Sequence, residues 1–261
     1  MVGGGRRGRK GACPTCPAIV GAGPRIDATA SVVSRHAAGA VNATPSEELL
    51  GPLNAVERRF APAGLWVVGD RSLLARHPRV AVVGTRTPTE DGAQRARRLV
   101  RELVSHDAII VSGLAQGVDT IAHTAAMVNG RTIAVIGTPL DDVFPMQNAE
   151  LQRRIASRDL VVSEFAPGTK VARGNFPRRN RTMALIADAS VIIEAGDGSG
   201  TLSQGWEVLR LGRPLFFLRS LLDADLQWPK EMMKYGAQVL SRTEDLLELL
   251  PRDDGHATAS F

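Results

Sequence analysis

The 261 residues carry 32 Lys and Arg against 27 Asp and Glu, with 44% hydrophobic residues, 4% aromatics and two cysteines. That apolar content supports a packed core, no apolar run reaches the roughly 18 residues of a membrane span, and two cysteines make no disulfide framework. The net charge of +5 resides in residues 1–41, where six bases face the single acid Asp27, while residues 42–261 hold 26 bases and 26 acids, so an anion site in the folded part is a local patch and not a global field.

A cytoplasmic protein with no membrane partner is the expectation. Residues 1–41, rich in Gly, Ala and Ser, read as a disordered basic tail. Cys13 and Cys16 find no second pair to complete four zinc ligands, so no metal is expected. Residues 42–61 read as a linker or a short helix. Across residues 62–250 a unit repeats: a β-branched run, a turn and a helix-length stretch. The runs are 65–68, 79–83, 108–111, 132–136, 160–162, 190–193 and 215–218. Helical signals fall at 94–104, 118–128, 149–157, 179–187 and 201–211. Runs apolar on both faces that alternate with helices predict a doubly wound α/β fold, its mainly parallel sheet covered by helices on both sides. Residues 229–250 read as a helix, a short strand at 236–240 and a last helix at 244–250. Residues 251–261 read as a frayed tail.

Ligands of such folds sit outside the carboxyl ends of the strands, so the turns carry the functional reading. Gly84-Thr85-Arg86-Thr87 joins a glycine that allows close approach to two hydroxyls and a five-donor guanidinium suited to phosphate. The next turn is Ser112-Gly113-Leu114-Ala115-Gln116-Gly117-Val118-Asp119. Asp119 and His123 share a helical face. No nucleophile accompanies them, so they read as structural or pocket-lining, and no catalytic residue is assigned. Asp141 and Asp142 read as turn residues, not metal ligands.

The sharpest local signal is Phe176-Pro177-Arg178-Arg179-Asn180-Arg181. Residues 170–181 hold five bases and no acid. Three guanidinium groups crowd a helix N-terminus, where the dipole disfavours cations. An external anion such as phosphate would account for that placement. Pro177 is expected at the first helical position or before it. The last turn, residues 194–201, brings alternating Gly196, Gly198 and Gly200 with Ser199 and Thr201 before a helix. It is neither the dinucleotide fingerprint nor a P-loop, so no cofactor is expected. Asp197 within it argues against very close phosphate contact there.

Taken in order, residues 80–86, 112–123, 132–148, 163–164, 176–181, 191–195 and 199–202 resemble the Rossmann-like core of the DNA-processing protein A (DprA/Smf) family. The resemblance covers about residues 60–250. It implies a non-enzymatic homodimer that binds single-stranded DNA and loads a RecA-type recombinase onto incoming strands during transformation and recombination. Gly84, Thr85 and Arg86 match the family's phosphate-binding first turn, and Ser112, Gly113 and Gly117 its second. Arg178, Arg179, Asn180 and Arg181 match its basic DNA-contacting motif. Ser199, Gly200 and Thr201 match its last loop. Where the family carries a Thr-Ala pair after that loop, this chain has Ser203-Gln204-Gly205. The family's usual Pro-Gly after residue 218 is replaced by Arg219-Ser220.

Two other readings remain. The same fold serves nucleotide-sensing domains. Residues 198–201 with Glu207 also resemble the turn of the lysine-decarboxylase-like nucleotide phosphoribohydrolases, where Glu207 would assist cleavage of an N-glycosidic bond. Glu207 stands six residues after Thr201, three more than that pattern asks.

Overall fold

The computed structural model describes residues 42–224 and 226–251. The expected basic tail, both cysteines and residues 252–261 lie outside the described residues. Strands are β1 (Thr44–Pro45), β2 (Gly64–Gly69), β3 (Arg79–Val83), β4 (Ile109–Ser112), β5 (Thr132–Ile136), β6 (Leu160–Ser163), β7 (Ala189–Ile192), β8 (Leu215–Leu218) and β9 (Gln238–Leu240). Helices are α1 (Ser46–Leu50), α2 (Ala55–Phe60), α3 (Glu90–Ser105), α4 (Val118–Asn129), α5 (Ala149–Arg158), α6 (Asn175–Ile186), α7 (Gly200–Arg210), α8 (Ser220–Asp223), α9 (Gln227–Met233) and α10 (Thr243–Leu247).

The sheet order is β1-β2-β6-β5-β4-β3-β7-β8-β9. From β3 to β9 every neighbouring pair is parallel, as is β5 with β6. The apolar run at 65–68 does enter the sheet, but as an antiparallel neighbour of β6. Alternate residues of the central strands serve two cores. Ala81, Val83, Ile109 and Val111 pack with α6 and α7 on one face, and Val80, Val82 and Ile110 pack with α3, α4 and α10 on the other. That two-sided burial is the physical reason these strands are continuously apolar.

Residues 42–61 hold β1, α1 and α2. Asn54 caps α2, accepting from the backbone of Val56 and Glu57 while Glu57 accepts from the Asn54 N–H. Glu57 also meets Arg213 at 2.6 Å, which ties α2 to the core.

One expected boundary moves. α6 starts at Asn175, so Pro177 occupies its third position and not the first. The first-turn N–H groups of a helix have no intrahelical acceptor, so a proline there removes no ladder bond.

Candidate nucleic-acid interface

From β3 the sheet grows in one direction through β4, β5 and β6, and in the other through β7, β8 and β9. At such a reversal the flanking loops diverge and leave a crevice at the strands' carboxyl ends. A cleft of about 430 Å³ opens there. Its walls are the turn after β3, the loop after β7, and the first turns of α6 and α7.

Backbone hydrogen bonds knit these turns together. Thr85 N–H donates to the Glu194 carbonyl at 2.7 Å, and Val118 N–H to the Thr85 carbonyl at 3.2 Å. The Thr201 hydroxyl donates to the Gly84 carbonyl at 3.0 Å. Gly117 has φ +76, and a methyl group there would lie 2.4 Å from the Thr85 carbonyl oxygen. Only glycine lets the β4 turn pass so close beneath the β3 turn. Leu114 is also left-handed, at φ 57, a rare setting for a bulky residue. Asn148 braces it, donating to the carbonyls of Leu114 at 2.9 Å and Ala115 at 3.2 Å.

The cleft gathers Gly84, Thr85, Arg86, Arg179, Asn180, Ser199, Gly200 and Thr201. Arg86 is exposed and forms no ion pair among the described residues. Ser199 caps α7, accepting from Thr201 N–H at 3.2 Å, so the positive end of that helix faces the cleft. Asn180 Nδ2 donates to the Gly200 carbonyl at 3.3 Å and joins α6 to that loop.

The other predicted residues lie elsewhere. Ser112 is fully buried and donates to the Val82 carbonyl at 2.7 Å. Gly117 packs behind the rim. Gly113 lines an adjoining cavity of about 220 Å³. Arg178 pairs with Glu164 at 2.6 Å and lies over the Phe165 ring at 5.1 Å. Arg181 pairs with Glu207 at 3.1 Å and lies over Phe60 at 5.5 Å. Neither Arg178 nor Arg181 lines the two cavities. Helical spacing explains the split. Phe176, Arg179, Asn180 and Met183 share the cleft-facing side of α6, while residues 178 and 181 project off it.

An external anion, expected to account for the three arginines, is not their sole counter-charge. Each has a carboxylate of its own: Glu164, Asp119 and Glu207. These arrive from other elements, which a local charge count misses.

Arg179 is buried beside buried Asp119, with Nη1 3.8 Å from Oδ2. Burial lowers the guanidinium's affinity for its proton, and nearby Arg86 adds to this while Asp119 opposes it. Burial raises the Asp119 carboxyl above its ordinary value, against the pull of Arg179 and of the Ala115 and Gly113 N–H groups. Asp197 stands on the exposed outer loop of the cleft.

The adjoining cavity shares Arg86, Ala115, Phe176 and Arg179 with the cleft. Phe144, half exposed, tilts against Phe176 with ring centroids 5.5 Å apart. Gln116 and Gln147 complete its polar edge. Sequence reading missed this ring pair, because the two phenylalanines stand 32 positions apart and meet only in the fold. Glu207 lies outside both cavities, held by Arg181 and Arg210. Among the described residues no cluster of three or more His, Cys, Asp or Glu could hold a metal ion. No described helix is long and apolar enough to cross a membrane.

Residues 50–251 match the profile of the family described as DNA recombination-mediator protein A. The chain belongs to this family. It is 33% identical over 202 residues to DNA processing protein DprA of Bacillus subtilis, covering 77% of this chain and 68% of that protein. It is 38% identical over 189 residues to the Streptococcus pneumoniae protein of the same name, covering 72% and 66%. It is 40% identical over 175 residues to Protein Smf of Synechocystis, covering 66% and 44%. The chain thus spans between 44% and 68% of these three family members. The solved structure of the Streptococcus pneumoniae protein superposes with a TM-score of 0.67 at 36% identity, over 75% of this chain and 70% of that one. DNA processing protein A of Helicobacter pylori, whose structure concerns its single-stranded DNA binding mode, also gives 0.67, at 31% identity over 80% and 93%.

Proposed function

We propose that this chain binds single-stranded DNA along the crevice between β3 and β7 and presents it to a RecA-type recombinase, acting as a homodimer in DNA uptake and recombination. The observation that carries this reading is the convergence of Arg86, Arg179 and the capped N-terminus of α7 on one cleft beside the Phe144–Phe176 ring pair. The guanidinium groups and helix N–H donors suit backbone phosphates. The rings suit an unstacked base, which a single strand offers and a duplex withholds. The binding mode named for the Helicobacter pylori relative supports the same ligand.

The groups aimed at the ligand recognise phosphates and ring faces, not base edges, so binding has little sequence preference. With about three to five phosphates held, the logarithm of the affinity should fall with the logarithm of salt at roughly −2 to −3.5. Fluorescence anisotropy with oligo-dT tests this. Replacing Arg86 and Arg179 together by alanine should weaken binding and flatten the slope while the protein stays folded. A folded double variant with parental affinity and slope would remove the crevice from consideration. Tight binding of mononucleotides with none of oligo-dT would favour a nucleotide sensor. Release of free base would restore the hydrolase reading, which the position of Glu207 outside both cavities does not support.

A further inference from the structure

We infer that Gly113 is a seat for the Arg179 side chain, so that the turn after β4 serves binding by positioning a guanidinium and not by touching the ligand. The inference rests on the single-strand reading above and adds how its central cation is set. A methyl group at position 113 would fall 1.1 Å from Nη1 and 2.3 Å from Cζ of Arg179. The guanidinium therefore lies directly on the backbone of the turn, in the space a side chain would fill. Gly113 is not in the left-handed region, so this contact, and not its torsion, calls for glycine.

Asp119 stands behind the seat. Its Oδ2 accepts from Gly113 N–H at 3.2 Å and Ala115 N–H at 3.3 Å, and lies 3.8 Å from Nη1. The carboxylate is thus pinned by the same turn that carries the guanidinium. Arg179 is one of the residues common to the cleft and the adjoining cavity. Seated at that boundary, the guanidinium borders both the phosphate-binding cleft and the ring-lined cavity beside it. A free arginine would have to surrender several rotatable bonds on binding, and a seated one has surrendered them on folding.

Gly113→Ala is the direct test. The atoms closest to the new methyl group are the far end of the Arg179 side chain and one Asp119 oxygen at 2.8 Å, so the change should displace the guanidinium and not the backbone. Oligo-dT affinity should drop about ten-fold or more, the worth of a charge-assisted contact. The drop should equal that of Arg179→Ala, and the two changes together should do no more than either alone. Each should flatten the salt slope by about 0.7, one phosphate's share. Arg179→Lys, which keeps the charge but not the flat fork, should lose most of the affinity too. Melting curves verify folding, and if Gly113→Ala fails to fold, Arg179→Lys decides. Parental affinity in either folded variant, or losses that multiply in the double variant, would overturn the seat. A parent protein that binds no oligo-dT would overturn the single-strand reading and the seat with it. A parent that binds while Arg179→Ala is neutral would overturn the seat alone.

Discussion

The imidazole of His123 is fully buried under the sheet, with Nδ1 2.7 Å from the Thr132 hydroxyl oxygen. That hydroxyl also lies 2.8 Å from the Ile110 carbonyl oxygen, so it links the ring to β4. Burial, and then the positive charge of Arg179, push the ring's pKa from 6.5 down to about 3. The unfolded chain takes up this proton near 6.5 and the folded chain only near 3. Acidification between those values therefore favours unfolding, by up to about 1.4 kcal/mol per pH unit. Urea titrations should show stability falling from pH 7 to pH 5, and less steeply in His123→Leu. Parallel profiles for the two proteins would exonerate the imidazole. Asp197 offers a second single-residue test. It is the exposed acid on the rim, so Asp197→Asn should tighten oligo-dT binding a few-fold at low salt and converge on the parent at high salt.

Among elements, the turn after β4 draws support from outside itself. Asn148, 5% exposed, holds two of its carbonyls and also donates to Thr120 Oγ1 at 2.9 Å. Asn148→Ala leaves those buried acceptors short of a donor and should cost about 1–3 kcal/mol in chemical denaturation. An unchanged unfolding midpoint would count against this bracing. The sequence foretold this layer of structure well where one segment decides alone. The runs at 79–83, 132–136 and 215–218 coincide with β3, β5 and β8, since a strand buried on both faces announces itself by unbroken apolar residues. It foretold less where distant segments meet. Arg178 and Arg181 read as equal partners of Arg179, yet a start of α6 at residue 175 turns them away from the cleft. The carboxylates that receive them come from the turn after β6 and from α7, and the Phe144–Phe176 contact joins a loop to the first turn of α6. Pairings of that kind leave no trace in local spacing.

At the scale of the molecule, the proposed self-association has a candidate face. Tyr235 is 63% exposed and Met233 43% exposed, and Tyr235 meets the edge of Trp206 at 5.3 Å. Isolated exposed apolar residues are ordinary, but an aromatic pair with a methionine is typical of interface centres. Tyr235→Glu with Met233→Glu should convert a dimer to a monomer in light scattering without lowering the melting temperature much; an unchanged mass would place the interface elsewhere. The central seam of the sheet has a different consequence. Along it Val80 to Val83 pair with Ala189 to Ile192, and Arg79 is tied at its base to Asp188, 109 residues away. Arg86 follows the first strand of the seam, Arg179 stands on the helix that leads into the second, and Ser199 lies in the loop that follows the second. Neither half of the chain owns a complete site, and the cleft comes into being only after the longest loop in the sheet has closed. A ligand that bridges both halves then acts as a clamp on folding itself. At a hundred times its dissociation constant it would add about 2.7 kcal/mol to the stability of the closed state, so an occupied protein should resist both thermal opening and proteolysis where the empty one yields.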